Sequence, residues 1–199
     1  MTLIEDLKAA LDRDRVIRTA GWHPRTIREA LSSGAVRIVP GVIGVPAAET
    51  DPDIEYVVAT LLTNGVVSGL TAALIHDLSV GLPDAVDLIV PYEVARDVPG
   101  VPVRRWRTQQ QDLLTVGVDR ITTASRAAFP ITSPARTVVD LYRTRNAGYR
   151  QHARDALVTF MRRGQDQEEL VKLALHFKIW PRLQPHLEMI SELNGGMKP

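Results

Sequence analysis

The stretch from Arg15 to Val45 constrains this chain most, because two helix signals and a hairpin signal follow one another within it. Val16, Ile17 and Ala20 give a first short helix one apolar side, and Gly21 breaks it. Pro24 then restarts a helix at the position where a missing N–H costs nothing. Ile27, Ala30 and Leu31 recur at i, i+3, i+4 and predict a buried stripe. Arg25, Arg28 and Ser32, at i, i+3, i+7, fall on a different face and project together. Gly34 ends the helix, residues 35–39 are β-prone, Pro40 and Gly41 suit the centre of a type II turn, and residues 42–45 return. Two helices followed by a hairpin are the layout of a winged helix-turn-helix, whose second helix enters a DNA major groove.

Charge points the same way. Arg15, Arg18, Arg25, Arg28 and Arg37 oppose the single acid Glu29, a local net charge of +4 in a chain whose total is only +1. Positive charge is therefore concentrated where a phosphate backbone would lie, although a small basic helical module also suits an acidic protein surface. Arg25 and Arg28 are the candidates for reading base edges, and Arg15, Arg18 and Arg37 for neutralising phosphates. His23 precedes a proline, so it is expected to be extended and to cap the next helix, with a DNA contact as the lesser alternative. Trp22 is expected to pack between helices.

The remainder predicts an α+β protein of two domains, 1–48 and 52–193. Thr2 and Glu5 fit a capping box for a bracing helix that carries Leu7 and Leu11. Residues 46–52 have a linker's composition, and Ile54, Val57, Val58, Leu61 and Leu62 form a helical stripe that Asn64 and Gly65 terminate. Residues 66–68, 86–90, 101–107 and 120–123 are expected strands of a small sheet, interrupted by a helix near 71–78. Ser133 caps, Pro134 opens and Arg136 can pair with Asp140 in a further helix, followed by helical patterns near 149–163, 167–177 and 181–193.

The order of parts resembles the AbiEi antitoxins of abortive-infection type IV toxin-antitoxin systems. The resemblance runs through residues 16–45, the segment Val67-Ser68-Gly69-Leu70-Thr71-Ala72-Ala73-Leu74-Ile75-His76-Asp77-Leu78, and most specifically Ile131-Thr132-Ser133-Pro134-Ala135-Arg136-Thr137-Val138-Val139-Asp140-Leu141. It implies an N-terminal winged helix that binds operator DNA and represses its own operon; the docking geometry of such helices adds the expectation that two copies associate on an inverted repeat in the promoter DNA. It also implies a C-terminal antitoxin domain that counters a cognate nucleotidyltransferase toxin. The chain departs from the family pattern at two points. Val39 and Pro40 precede the turn glycine, leaving Arg37 as the wing's one cation, and Gly69 follows Ser68 where a histidine is frequent.

Other chemistry finds little footing. The chain has no cysteine, which excludes disulfides, thiolate catalysis and cysteine-ligated zinc. His23, His76, His152, His176 and His186 are dispersed, and no HExxH, glycine-rich phosphate loop or GxSxG elbow occurs. Asp84 and Asp87 suggest the start of a nuclease site, but the acid and lysine that should follow on the next strand are missing. The expectation is no enzyme, metal or cofactor. No apolar run approaches the roughly 20 residues that span a bilayer. Glu5 and Asp6 stand where a leader would be basic, which predicts a cytoplasmic protein without membrane attachment. Arg104, Arg105, Trp106 and Arg107 interleave guanidinium and indole, yet on a strand Trp106 falls on the side opposite Arg105 and Arg107. Arg143, Arg145, Arg150, Arg154, Arg162 and Arg163 form a second basic set, suited to solvent, an acidic toxin surface or more DNA. The alternatives to an antitoxin are a protein-sequestering module without DNA affinity and a stand-alone winged-helix regulator.

Overall fold

The computed structural model describes residues 3–94, 97–144 and 148–195, so Thr2 of the expected capping box and Arg145 of the second basic set lie outside the described residues. The fold class is α+β, as the sequence predicts. The chain begins α1 (Leu3–Asp14), β1 (Val16–Arg18), α2 (Pro24–Ser32), β2 (Val36–Val39) and β3 (Val42–Gly44). The helix expected at 16–20 is thus a strand. Arg15 adopts φ +61°, which ends α1 and redirects the chain. The β-branched Val16 and Ile17 then pair with β3 in the register Val16↔Gly44, Ile17↔Ile43, Arg18↔Val42. Five residues are too few for periodicity to separate helix from strand, and the partner strand decides. One helix, not two, therefore stands between β1 and β2, and tandem helices do not form.

The three strands make an antiparallel sheet in the order β1-β3-β2, closed at one end by Pro40 and Gly41, the latter at the φ of +87° that a type II turn requires. Its two faces have different partners. Ile17 and Ile43 pack with Leu7 and Leu11 of α1 and Ala30 and Leu31 of α2. Val16, Val42, Ile38 and Val39 pack instead into a larger cluster with Val57, Val58, Val98, Val101 and Phe129 of the following region.

Residues 46–52, expected as a linker, are structured. Pro46–Glu49 forms α3 with Ala48 fully buried, and Asp51 is buried behind it. Its Oδ2 accepts from Thr123 Oγ1 at 2.5 Å and Ser125 N at 2.7 Å, and its Oδ1 from Asp53 N at 3.0 Å. Burial opposes the charge, but the hydrogen bonds from Ser125, Thr123 and Asp53 outweigh it and hold the carboxyl at about 2, below its usual 3.8. The resulting stability, about 2 kcal/mol, is fully present above pH ~4 and lost as pH falls through about 2. Unfolding free energies of the parent and Asp51→Asn should differ by that amount at neutral pH and converge in acid; parallel curves down to pH ~2 would refute the assignment.

The chain continues with α4 (Ile54–Thr63), β4 (Val66–Val67), α5 (Gly69–Ile75), β5 (Val86–Pro91), β6 (Val103–Thr108), α6 (Asp112–Thr115), β7 (Val118–Thr122), β8 (Ala128–Thr132), α7 (Pro134–Arg143), α8 (Tyr149–Arg162), α9 (Gln167–His176) and α10 (Trp180–Gly195). Asn64 ends α4 in the left-handed conformation, φ +50°. The second sheet has the order β6-β5-β4-β8-β7, parallel at β5/β6 and β4/β8 and antiparallel elsewhere. Sequence reasoning missed β8 because Pro130 interrupts it. The proline is tolerated because β4 is two residues long and engages β8 only at Ile131. The C-terminal helices close a second core around Val138, Leu157, Phe160, Leu170 and Leu183.

Candidate nucleic-acid interface

On α2 the sequence pattern translates directly into burial. Ala30 is fully buried, Ile27 and Leu31 are half-buried, and Arg25, Arg28 and Ser32 are exposed on the opposite side. His23 caps the helix, its Nδ1 accepting from Arg25 N at 3.2 Å, so the capping role is the one observed. Trp22 packs against the small apolar cluster beneath the helix, as expected. Two details modify the exposed face. Arg25 Nε donates to Glu29 Oε1 at 2.8 Å, and the Ser32 hydroxyl donates to the Arg28 carbonyl at 2.9 Å. The Arg25 side chain remains 78% exposed, so its pair with Glu29 is weak and readily exchanged for a phosphate or a base. Ser32 is left with its lone pairs as acceptors.

The other expected contacts do not all share this face. Arg37 lies opposite Ile43 and is therefore on the sheet side that α2 covers, exposed at its rim. Arg18, opposite Val42, points to the other side, into a groove of about 490 Å3 that it lines with Arg13, Asn64 and Arg120. Arg15 is half-buried, with its guanidinium 4.0 Å from Asp12 and its carbonyl accepting from Val45 N at 2.9 Å. The structure thus keeps Arg25 and Arg28 together on α2 and puts Arg37 and Arg18 on opposite sides of the sheet. Ile38 and Val39 of the candidate wing face the second sheet's surroundings, so one side of the hairpin is already occupied.

A second charged cluster sits on the larger sheet, where sequence reasoning saw only two isolated carboxylates. Asp87, fully buried within an otherwise apolar strand, accepts from Leu70 N at 2.9 Å, from Tyr149 Oη at 3.1 Å and from Arg104 Nη1 at 3.1 Å. Arg104 stands directly across on β6 and also reaches Tyr149 Oη at 2.6 Å and Asp84 at 2.5 Å. Both carboxylates thus meet the one Arg104 guanidinium. Burial pushes the Asp87 carboxyl up against the opposing pull of Leu70 N, Arg104 and Tyr149. Burial and the Asp87 charge raise Tyr149 to about 12, so it remains a donor. Gly69, at φ +57°, leaves room for this arrangement: a Cβ there would stand 2.8 Å from Asp87 Oδ2 and 3.0 Å from Trp106. One charge inside Val-Asp-Leu-Ile-Val was the available signal, since a buried carboxylate demands partners. Trp106 packs against the C-terminal core while Arg107 is exposed, the alternation expected for that strand.

The motif at 131–141 contains a cap and an ion pair. Ser133 Oγ accepts from Arg136 N at 3.2 Å, and Arg136 Nε meets Asp140 Oδ2 at 3.1 Å with both side chains fully buried. Of the second basic set, Arg143 lies 3.6 Å from Asp140 and Arg163 is 3.9 Å from Asp77. Among the described residues no group of three or more potential ligands is placed to hold a metal, and no helix is long and apolar enough to cross a membrane. Compared with known proteins, the sequence matches no family model and no curated protein significantly.

Proposed function

We propose that the chain is a DNA-binding antitoxin: it represses its own operon by placing α2 in the major groove at an inverted repeat and counters a cognate nucleotidyltransferase toxin. The observation that carries the DNA reading is the exposed side of α2, where Arg25 and Arg28 project one turn apart from a helix whose opposite side is buried. Arg37 adds a phosphate contact at the rim, and Arg18 serves a separate stretch of backbone through the adjoining groove. The antitoxin reading rests on the resemblance of residues 16–45, 67–78 and 131–141 to AbiEi antitoxins. The exposed basic side of α2 also suits an acidic protein, and the same experiment separates the two.

A mobility shift on the promoter DNA of the chain's own operon is expected to show a specific, salt-sensitive complex. Arg25→Ala/Arg28→Ala should lose roughly 2–6 kcal/mol of binding, about 30-fold or more, and lower the salt slope by about 2. No shift by the intact chain would reassign the face to protein docking. Rescue of growth on co-expression with the neighbouring nucleotidyltransferase tests the antitoxin half separately.

A further inference from the structure

A cavity of about 460 Å3 opens where the end of α7 meets α8 and α10, and its walls are cationic on two sides. Arg150 and Arg154 stand one turn apart on α8, and Arg182 and His186 one turn apart on α10. Among the described residues no carboxylate lines the cavity, and no ion pair engages any of the three arginines. This contrasts with Arg104, Arg105, Arg136, Arg143 and Arg163, each of which meets a carboxylate. Tyr142, whose ring lies 5.5 Å from that of His186, has a hydroxyl sealed from solvent with no hydrogen-bond partner among the described residues. Burial raises that phenol to about 12, so it keeps its proton at neutral pH.

We propose that this cavity binds a chain of two or more phosphoryl groups. Three exposed arginines lining one cavity, with no counter-charge among the described residues, suit a ligand of several negative charges, which a single carboxylate does not supply. Their planar forks match the paired oxygens of phosphoryl groups. The volume falls within the ordinary range for small-molecule sites, about 300–1,000 Å3, and the site is a hollow rather than the flat or convex track that a duplex backbone follows. Tyr142 and His186 at the same mouth provide an aromatic edge for a nucleoside attached to the chain. Free polyphosphate and the phosphate tail of a nucleotide share the chemistry, and they are distinguished by experiment.

Calorimetric titration of the full chain at physiological salt, with sodium tripolyphosphate and separately with ATP, both without divalent cation, is the test. Saturable one-site binding is expected. Arg154→Gln/Arg182→Gln should weaken it by roughly tenfold or more while keeping the parent's circular dichroism, and Arg150→Gln provides an independent lesion should the double variant misfold. Arg25→Ala/Arg28→Ala, on the far α2 face, should bind as the parent does. Equal affinity for the two ligands identifies the phosphate chain alone as the determinant, and tighter ATP binding adds the nucleoside. Absence of saturable binding, or binding unchanged in folded cavity variants, overturns the proposal and leaves the arginines as partners for the carbonyl end of α7.

Discussion

Asp140→Ala is expected to cost roughly 3–5 kcal/mol of unfolding free energy, because it leaves the guanidinium of Arg136 buried without a counter-charge. Arg136 is fully buried. Besides its contact with Asp140 it donates to the Val116 carbonyl and, at 3.4 Å, to the Leu113 carbonyl, and it lies 3.9 Å over the Phe177 ring. Arginine does not escape by deprotonation, so the loss of Asp140 falls on folding itself. Asp140, in turn, is pushed up by burial, with Arg136 and Arg143 opposing. The apolar double variant Arg136→Met/Asp140→Leu should be far milder than the sum of its parts, since removing both charges also removes both desolvation penalties. It retains a deficit of about 1–3 kcal/mol from the carbonyls left unpaired. Denaturant unfolding of the two single variants and the double checks this, and additivity of the singles would refute it.

Asp87→Ala should produce a second loss of roughly 3–5 kcal/mol, with Asp84 as its natural contrast. Asp87 is inaccessible and is the acceptor on which Arg104, Tyr149 and the amide of Leu70 converge, so its removal leaves three donors without it. Asp84 makes the shorter contact to the same guanidinium, 2.5 Å, but its side chain is 82% exposed. Water replaces what the mutation takes away, and Asp84→Ala should change stability little. Burial rather than distance therefore decides which carboxylate matters. Thermal or urea unfolding of both variants is the measurement, and equal effects would show that the network is held by surface charge.

How much of this was legible in the chain depends on how local the determining physics is. The exposed row Arg25, Arg28, Ser32, the cap at His23, the stop at Asn64, and the pairing of Arg136 with Asp140 all follow from spacings within two turns, and all appear in the structure. The strand at 16–18 was misread because its conformation is set by β3, more than twenty residues away. Strand β8 was missed because the rule against proline assumes a full-length neighbour on each side. The Asp87 cluster draws on residues 70, 87, 104 and 149, and the cationic cavity on three helices, so neither has a signature at any fixed spacing. Arg18 was grouped with Arg37 by charge alone, and only the strand register shows that they face opposite ways.

The apolar seam beneath the first sheet bears on how this protein can be taken apart or recombined. Val16, Ile38, Val39, Val42 and Ala48 are covered by residues that follow Asp51, and Asp51 itself is tethered to Thr123 and Ser125. The N-terminal unit is therefore not a portable cassette. Cut at its sequence boundary, it would carry a greasy flank into water; grafted onto another body, it would need that flank covered afresh. Under the proposed DNA-binding role, the seam would tie the angle of α2 on a duplex to that of the rest of the molecule, and the spacing of half-sites would then set how far apart two C-terminal bodies stand.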